Sequence, residues 1–166
     1  MPFEEDLTKF LTGWRRLMLV GIGSRIRRDD AAGLAVISRL RGAVPPSVGM
    51  LDCGTVPENY SLDMKRFQPT HLVFFDAVEM GAEPGSRAMI AEDELIVQSF
   101  STHKQSVKVL FMVLREGIPG VRIALAGIQP KTTEFGRGIS RPVARGISAM
   151  SEEVSNAIRC TCHEND

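Results

Sequence analysis

The sequence predicts a single α/β domain whose mostly parallel sheet carries helices on both faces. Three observations predict it. Apolar runs without alternation recur along the chain, as strands buried on both faces require. Segments with helical apolar spacing separate most of these runs. Glycine and proline punctuate the junctions. Strand and helix in alternation over 166 residues is the pattern of one layered domain, with no repeat, low-complexity tract or interdomain linker.

The elements follow in order. Phe3, Leu7, Phe10, Leu11 and Trp14 recur at helical spacing and predict a short helix over residues 3–12. The apolar run 17–20, stopped by Gly21, predicts the first strand. Residues 29–42 carry Ala31, Leu34, Ala35, Ile37 and Leu40 and read as a helix ending near Gly42, before the breaker Pro45-Pro46. Residues 48–54 predict a second strand, 58–67 a short helix and 71–78 a third strand. Residues 80–86 form a turn, and the alternation of 87–92 predicts a fourth strand. No helix fits between strands three and four, so the fourth is expected to run antiparallel to the third. Val107, Leu110, Phe111 and Leu114 mark an amphipathic helix over 103–116, with Thr102 and Gln105 as its capping box. Residues 121–128 predict a fifth strand. Val143, Ile147, Met150, Val154 and Ile158 predict a long final helix with Pro142 in its first turn.

Composition narrows the functional classes. Twenty basic residues balance twenty acidic ones, so no bulk charge draws the chain to nucleic acid or to a membrane. The cluster Arg25-Ile26-Arg27-Arg28 reads as a solvated loop. Three cysteines, an odd number, argue against a disulfide framework. Cys53 lies in an apolar run and is expected to be a buried thiol. Cys160, Cys162 and His163 resemble half a metal clip, but a four-ligand site needs partners elsewhere, and a frayed tail is the plainer expectation. No window approaches the ~20 apolar residues of a membrane span. The acidic, amphipathic start lacks the pattern of a signal peptide. A cytoplasmic location and no membrane insertion are therefore expected.

Ligands of open α/β sheets bind beyond the carboxyl ends of the parallel strands. Applied here, that rule gathers GIGSRIRRDDAAG after strand one, CGTVPEN after strand two, Asp76 at the end of strand three and GIQPKTTEFG after strand five. His103, at the start of the helix returning to strand five, is expected at the same rim. Asp30 and Asp76 offer carboxylate oxygens and His103 an imidazole nitrogen. That donor set suits a divalent transition ion with an open coordination position. Plainer roles compete: Asp29 or Asp30 as a helix cap, Asp76 as a turn residue, His103 as a polar first-turn residue. Gly21 and Gly23 lack the third glycine of a dinucleotide fingerprint, where Ile26 stands. There is no Gly-x-Ser-x-Gly elbow and no P-loop.

Taken together, GIGSRIRRDDAAG (21–33), CGTVPEN (53–59), FFDAVEMGAEPG (74–85), STHKQSV (101–107) and GIQPKTTEFGRGIS (127–140) resemble the hydrogenase maturation endopeptidases, in the branch serving hydrogen-evolving complexes. One departure is visible: Ser24 stands where that family usually has Asn. The resemblance implies a three-layer α/β/α sandwich of the phosphorylase/hydrolase-like kind, with a five-stranded mixed sheet. It implies removal of a C-terminal extension from the large-subunit precursor of a nickel–iron hydrogenase after nickel insertion. It assigns Asp30, Asp76 and His103 to the metal. Nickel would arrive in the precursor, another divalent transition metal in the same site being the variant. No nucleotide is implied.

The cleavage step itself stays open between a metal-polarised carbonyl or water and a carboxylate base drawn from Asp29, Asp30 and Asp76. The Gly21–Gly23 backbone is a candidate oxyanion donor. Gly54 and Glu58, in the loop after strand two, are candidate substrate contacts, a plain β–α turn being the alternative. The precursor is the expected partner, and the chain itself is expected to be monomeric. Rival readings are a nucleotide- or small-molecule-binding module, a metal-dependent hydrolase of small substrates, and a nickel chaperone that does not cut.

Overall fold

The computed structural model describes residues 2–90, 94 and 104–162. Five strands, β1 (Leu17–Gly21), β2 (Gly49–Asp52), β3 (His71–Ala77), β4 (Arg87–Ile90) and β5 (Arg122–Ile128), form one sheet in the order β2-β1-β3-β5-β4. Helices α1 (Pro2–Leu11), α2 (Ala32–Leu40), α3 (Ser61–Phe67), α4 (Lys104–Gly117) and α5 (Arg141–Cys162) flank it. Two 3-10 turns, Arg28–Ala31 and Pro57–Tyr60, lead into α2 and α3. The expected α/β architecture is therefore present, with boundaries shifted by a few residues.

Strand periodicity explains the three layers. Successive side chains point to opposite faces, so an uninterrupted apolar strand feeds two cores. Leu17, Leu19, Val73, Phe75, Ala126 and Ile128 pack with α1, α2 and α5. Met18, Val20, Leu72, Phe74 and Leu125 pack with α3 and α4. Each helix answers with one apolar stripe. In α5 it is Val143, Ile147, Met150, Val154, Ala157 and Ile158.

β1, β2, β3 and β5 are parallel, and β4 runs opposite to them. β4 does oppose β3 in direction, but its ladder partner is β5. The reason lies in strand length. β5 pairs with β3 from His71↔Arg122 to Ala77↔Ile128, and β1 occupies the other side of β3. Only the outer edge of β5 is left for β4. The capping box expected at Thr102 lies outside the described residues.

The edge strand is held down by a charged tie. Arg87 donates through Nε and Nη2 to both carboxylate oxygens of Glu153 on α5, at 2.8 and 2.7 Å, and both side chains are largely buried. Such a fork satisfies both charges at once. Cys160 and Cys162 are not in a frayed tail: both sit exposed, as free thiols, in the last turns of α5. His163 lies outside the described residues.

Arg87→Ala would leave Glu153 with an unmatched charge and lower the unfolding free energy by about 3 kcal/mol. The denaturant midpoint reads this. An unchanged midpoint would mean the fork contributes nothing to anchoring β4.

Candidate active site

The carboxyl ends of β1, β2 and β3 are stitched together by backbone bonds. Ile22 N–H donates to the Phe75 carbonyl at 2.9 Å, Gly23 N–H to the Gly54 carbonyl at 2.8 Å, and Cys53 N–H to the Gly21 carbonyl at 2.9 Å. The approach is close enough to demand glycine. A Cβ on Gly33 would lie 2.1 Å from the Phe75 carbonyl oxygen, and one on Gly23 would lie 2.1 Å from that of Asp30. Glycines here thus let α2 and its leading turn press onto the strand ends, rather than cradle phosphate. The Ile22 and Gly23 N–H groups are committed internally, to the Phe75 and Gly54 carbonyls, rather than offered to a phosphate or an oxyanion.

That packing sets the two acids at one rim. Asp30, half-buried in the turn Arg28–Ala31, accepts from the Ser24 backbone N–H at 2.9 Å through Oδ2. Because Ser24 contributes its backbone, the departure from Asn at this position leaves the bond intact. Asp76 is the penultimate residue of β3, opposite Gly127. It shares a face with Phe74, which is the face that α4 covers, with the Phe74 and Phe111 rings 5.0 Å apart. α4 leads back to the start of β5, so the helix begins on the side of the carboxyl rim.

The electrostatics are unfavourable by design of position. Asp76 lies deep in the protein yet keeps part of its surface open. Burial first, and the charge of Asp30 second, hold its carboxyl well above the usual range, while the Ala77 N–H opposes them. The charge of Asp30 thus reaches Asp76 and opposes its ionisation. Among the described residues no three His, Cys, Asp or Glu side chains group closely enough to hold a metal. Asp30 and Asp76 are two of the three expected donors, and His103, the expected third, lies outside the described residues.

With this geometry in view, similarity to known proteins is informative. A family model described as hydrogenase maturation protease, HycI, matches residues 34–157. The chain belongs to the hydrogenase maturation proteases. The hydrogenase 3 maturation protease of Escherichia coli K12 is 27% identical over 139 residues, covering 82% of this chain and 87% of the relative. The crystal structure of the [NiFe] hydrogenase maturation protease HycI from Thermococcus kodakarensis KOD1 superposes with a TM-score of 0.85 at 29% identity, covering 93% of this chain and 99% of that one. The hydrogenase maturating endopeptidase HybD from E. coli gives 0.77 at 25% identity, over 89% and 94% of the two chains. The chain is therefore a peptidase of hydrogenase maturation.

In this protease Asp29 behaves quite differently from its neighbour. It is fully buried. Its Oδ2 accepts from Lys131 N–H, Thr132 N–H and the Ser140 hydroxyl at 2.9, 3.1 and 2.8 Å, and its Oδ1 accepts from Ser140 N–H at 2.7 Å. Burial raises its pKa, but the Ser140, Lys131 and Thr132 donors outweigh that and leave it lowered. A carboxylate so occupied is a poor proton acceptor, and no side-chain cap bond is present either. Asp29 is a strut that fastens the loop after β5 to the turn bearing Asp30. This corrects its expected place among the catalytic acids.

The remaining expectations divide. Gly54 gives its carbonyl to Gly23 and its N–H to Asp52 Oδ1 at 3.2 Å, so its backbone serves the loop itself; Glu58 is exposed in the turn Pro57–Tyr60. Cys53 is buried; burial, then the charges of Asp52, Asp63 and Glu58, push its thiol up to about 12, which rules out a thiolate nucleophile there. His71 lies at the opposite edge, buried, with its pKa lowered to about 4 by burial and then by Arg122.

Two residues were missed. Ser140 is the chief partner of Asp29, but nothing in a lone serine announces this. Gln129 is buried and organises the 78–86 loop: its Oε1 accepts from Met80 N–H at 2.7 Å, and its Nε2 donates to Glu79 at 2.8 Å. An amide directly after an apolar strand was the available signal.

Asp29→Ala should strand several donors and lower stability by about 2–3 kcal/mol, measured by denaturant unfolding. For Asp76 the sign is opposite. An acid with a raised folded-state pKa costs no stability while both states are protonated, and the cost builds as pH rises from the unfolded value toward the folded one. Asp76→Asn should therefore raise Tm at neutral pH, by about 2–4 °C per kcal/mol relieved. The gap should close below about pH 4. A gap that persists in acid would rule out ionisation as its cause.

Proposed function

We propose that the chain removes a C-terminal extension from the large-subunit precursor of a nickel–iron hydrogenase once nickel is seated. In this reading the nickel belongs to the substrate, and Asp30, Asp76 and His103 recognise it together. The observation that carries the reading is the electrostatic conflict between Asp30 and Asp76 at one rim, which a divalent cation would relieve. His103 directly precedes α4, the helix that begins on the side of that rim, and imidazole completes a donor set suited to a transition ion.

Gripping the ion fixes the precursor's nearby peptide bond against the same rim. Hydrolysis then forms a bond from a water oxygen to the scissile carbonyl carbon and breaks the C–N bond, and a proton passes from the water to the leaving amine. Whichever oxygen of Asp30 or Asp76 is not occupied by the ion can relay that proton. Asp29 has no part in the relay. A precursor without nickel leaves the two acids in conflict and binds poorly, so metal loading gates cleavage. Such a gate supplies discrimination that side-chain contacts alone provide only modestly.

The experiment is processing of a nickel-loaded precursor by site variants. Asp30→Asn, Asp76→Asn and His103→Ala should each reduce processing at least a hundredfold while far-UV circular dichroism stays native. Wild-type rates in any one of them would remove that residue from the site.

A further inference from the structure

Beside the acidic rim, two loops that could move independently are laced into one bridge. Gly136 N–H donates to the Ile26 carbonyl at 2.9 Å, and Arg28 N–H to the Gly136 carbonyl at 3.0 Å. Arg27 and Gly136 pair as a short parallel β-bridge. The Arg27 guanidinium lies 5.0 Å from the centre of the Phe135 ring and donates to the Thr133 carbonyl at 3.1 Å. Asp29 closes the far end of the bridge through Lys131, Thr132 and Ser140.

On this hydrogen-bonded bridge stand two large apolar side chains in water: Ile26 is 55% and Phe135 73% exposed. Neither contributes to a core. Ordered, exposed aromatic and aliphatic groups are what a binding surface prepares in advance, because the entropy of fixing them has already been lost on folding. Their surroundings are basic. Arg27, Arg28, Lys131 and Arg137 are exposed around them, Glu134 is the exposed acid between, and Arg25 is already paired with Asp52.

We propose that the Ile26–Phe135 bridge is the docking surface for the hydrogenase precursor, receiving an apolar side chain of the precursor flanked by acidic groups. The occupant follows from continuity: the loop that carries Ile26 and Arg27 runs straight into the turn that bears Asp30, whose N–H donates to the Arg27 carbonyl at 3.0 Å, so a substrate held at the acids lies beside the bridge. Its chemistry follows from the exposed ring and the surplus of guanidinium groups, which favour carboxylates beside an apolar anchor. The proposal rests on the proteolytic reading above and names how the precursor is held there.

Steady-state processing of nickel-loaded precursor tests it. Phe135→Ala and Ile26→Ala should each raise KM about tenfold or more with kcat little changed, the pattern of lost uniform binding. Arg137→Glu should raise KM at low salt, with the effect shrinking as salt rises. Met112→Ala, an equally exposed apolar residue on α4, is the control and should leave KM unchanged. Unchanged KM in both bridge variants would overturn the docking surface, as would a fall in kcat alone. If the wild-type chain fails to cut the loaded precursor at all, the proteolytic reading fails instead, and the two failures are told apart.

Discussion

Two carboxylates, Asp30 in the turn leading into α2 and Asp76 near the end of β3, are the constraint on which the rest of the site depends. The arrangement is costly for the folded chain alone, since burial and mutual repulsion both oppose charge on Asp76. It persists because each acid is over-determined by its surroundings. Asp76 is fixed in a strand paired on both sides. Asp30 is fixed by a turn that Gly23 and Gly33 let settle against the sheet and that Asp29 bolts to the loop after β5. Adjacent acids in sequence therefore do opposite work. Asp29 turns inward and is hydrogen-bonded through both oxygens, while Asp30 turns to the rim and accepts from the Ser24 N–H through one.

Stability and function are separated along the same line. The apolar stripes of all five helices and the Arg87–Glu153 fork hold the layers together without reference to the rim. The rim draws on that stability. A cation arriving with the substrate would replace the missing countercharge, so binding and relief of strain coincide. Beside it, the Ile26–Phe135 bridge is apolar, basic and fixed, and complements a site whose own charge is negative.

Much of the fold was legible in the sequence because strand and helix periodicities differ so plainly here. The runs Leu17–Gly21 and His71–Ala77 could only be strands buried on both faces. The partner of β4 was not legible, because pairing depends on which strand has an open edge, and that is settled by the length of β5. At the site, the rim rule gathers Asp30 and Asp76, and in the fold the charge of Asp30 acts on Asp76. The split between Asp29 and Asp30 was hidden, since neighbouring identical residues differ only in what the distant Ser140, Lys131 and Thr132 offer. Exposure of Phe135 and Ile26 was likewise invisible, as an apolar residue in a loop gives no sign of which way it faces.

The most direct measurement is mass spectrometry of the hydrogenase large subunit after incubation with this chain, comparing precursor carrying nickel with precursor stripped of it. The account predicts loss of the C-terminal extension only in the nickel-loaded sample. Equal cleavage of both would contradict it, since an acidic pair built to meet a cation would then have no part in choosing the substrate.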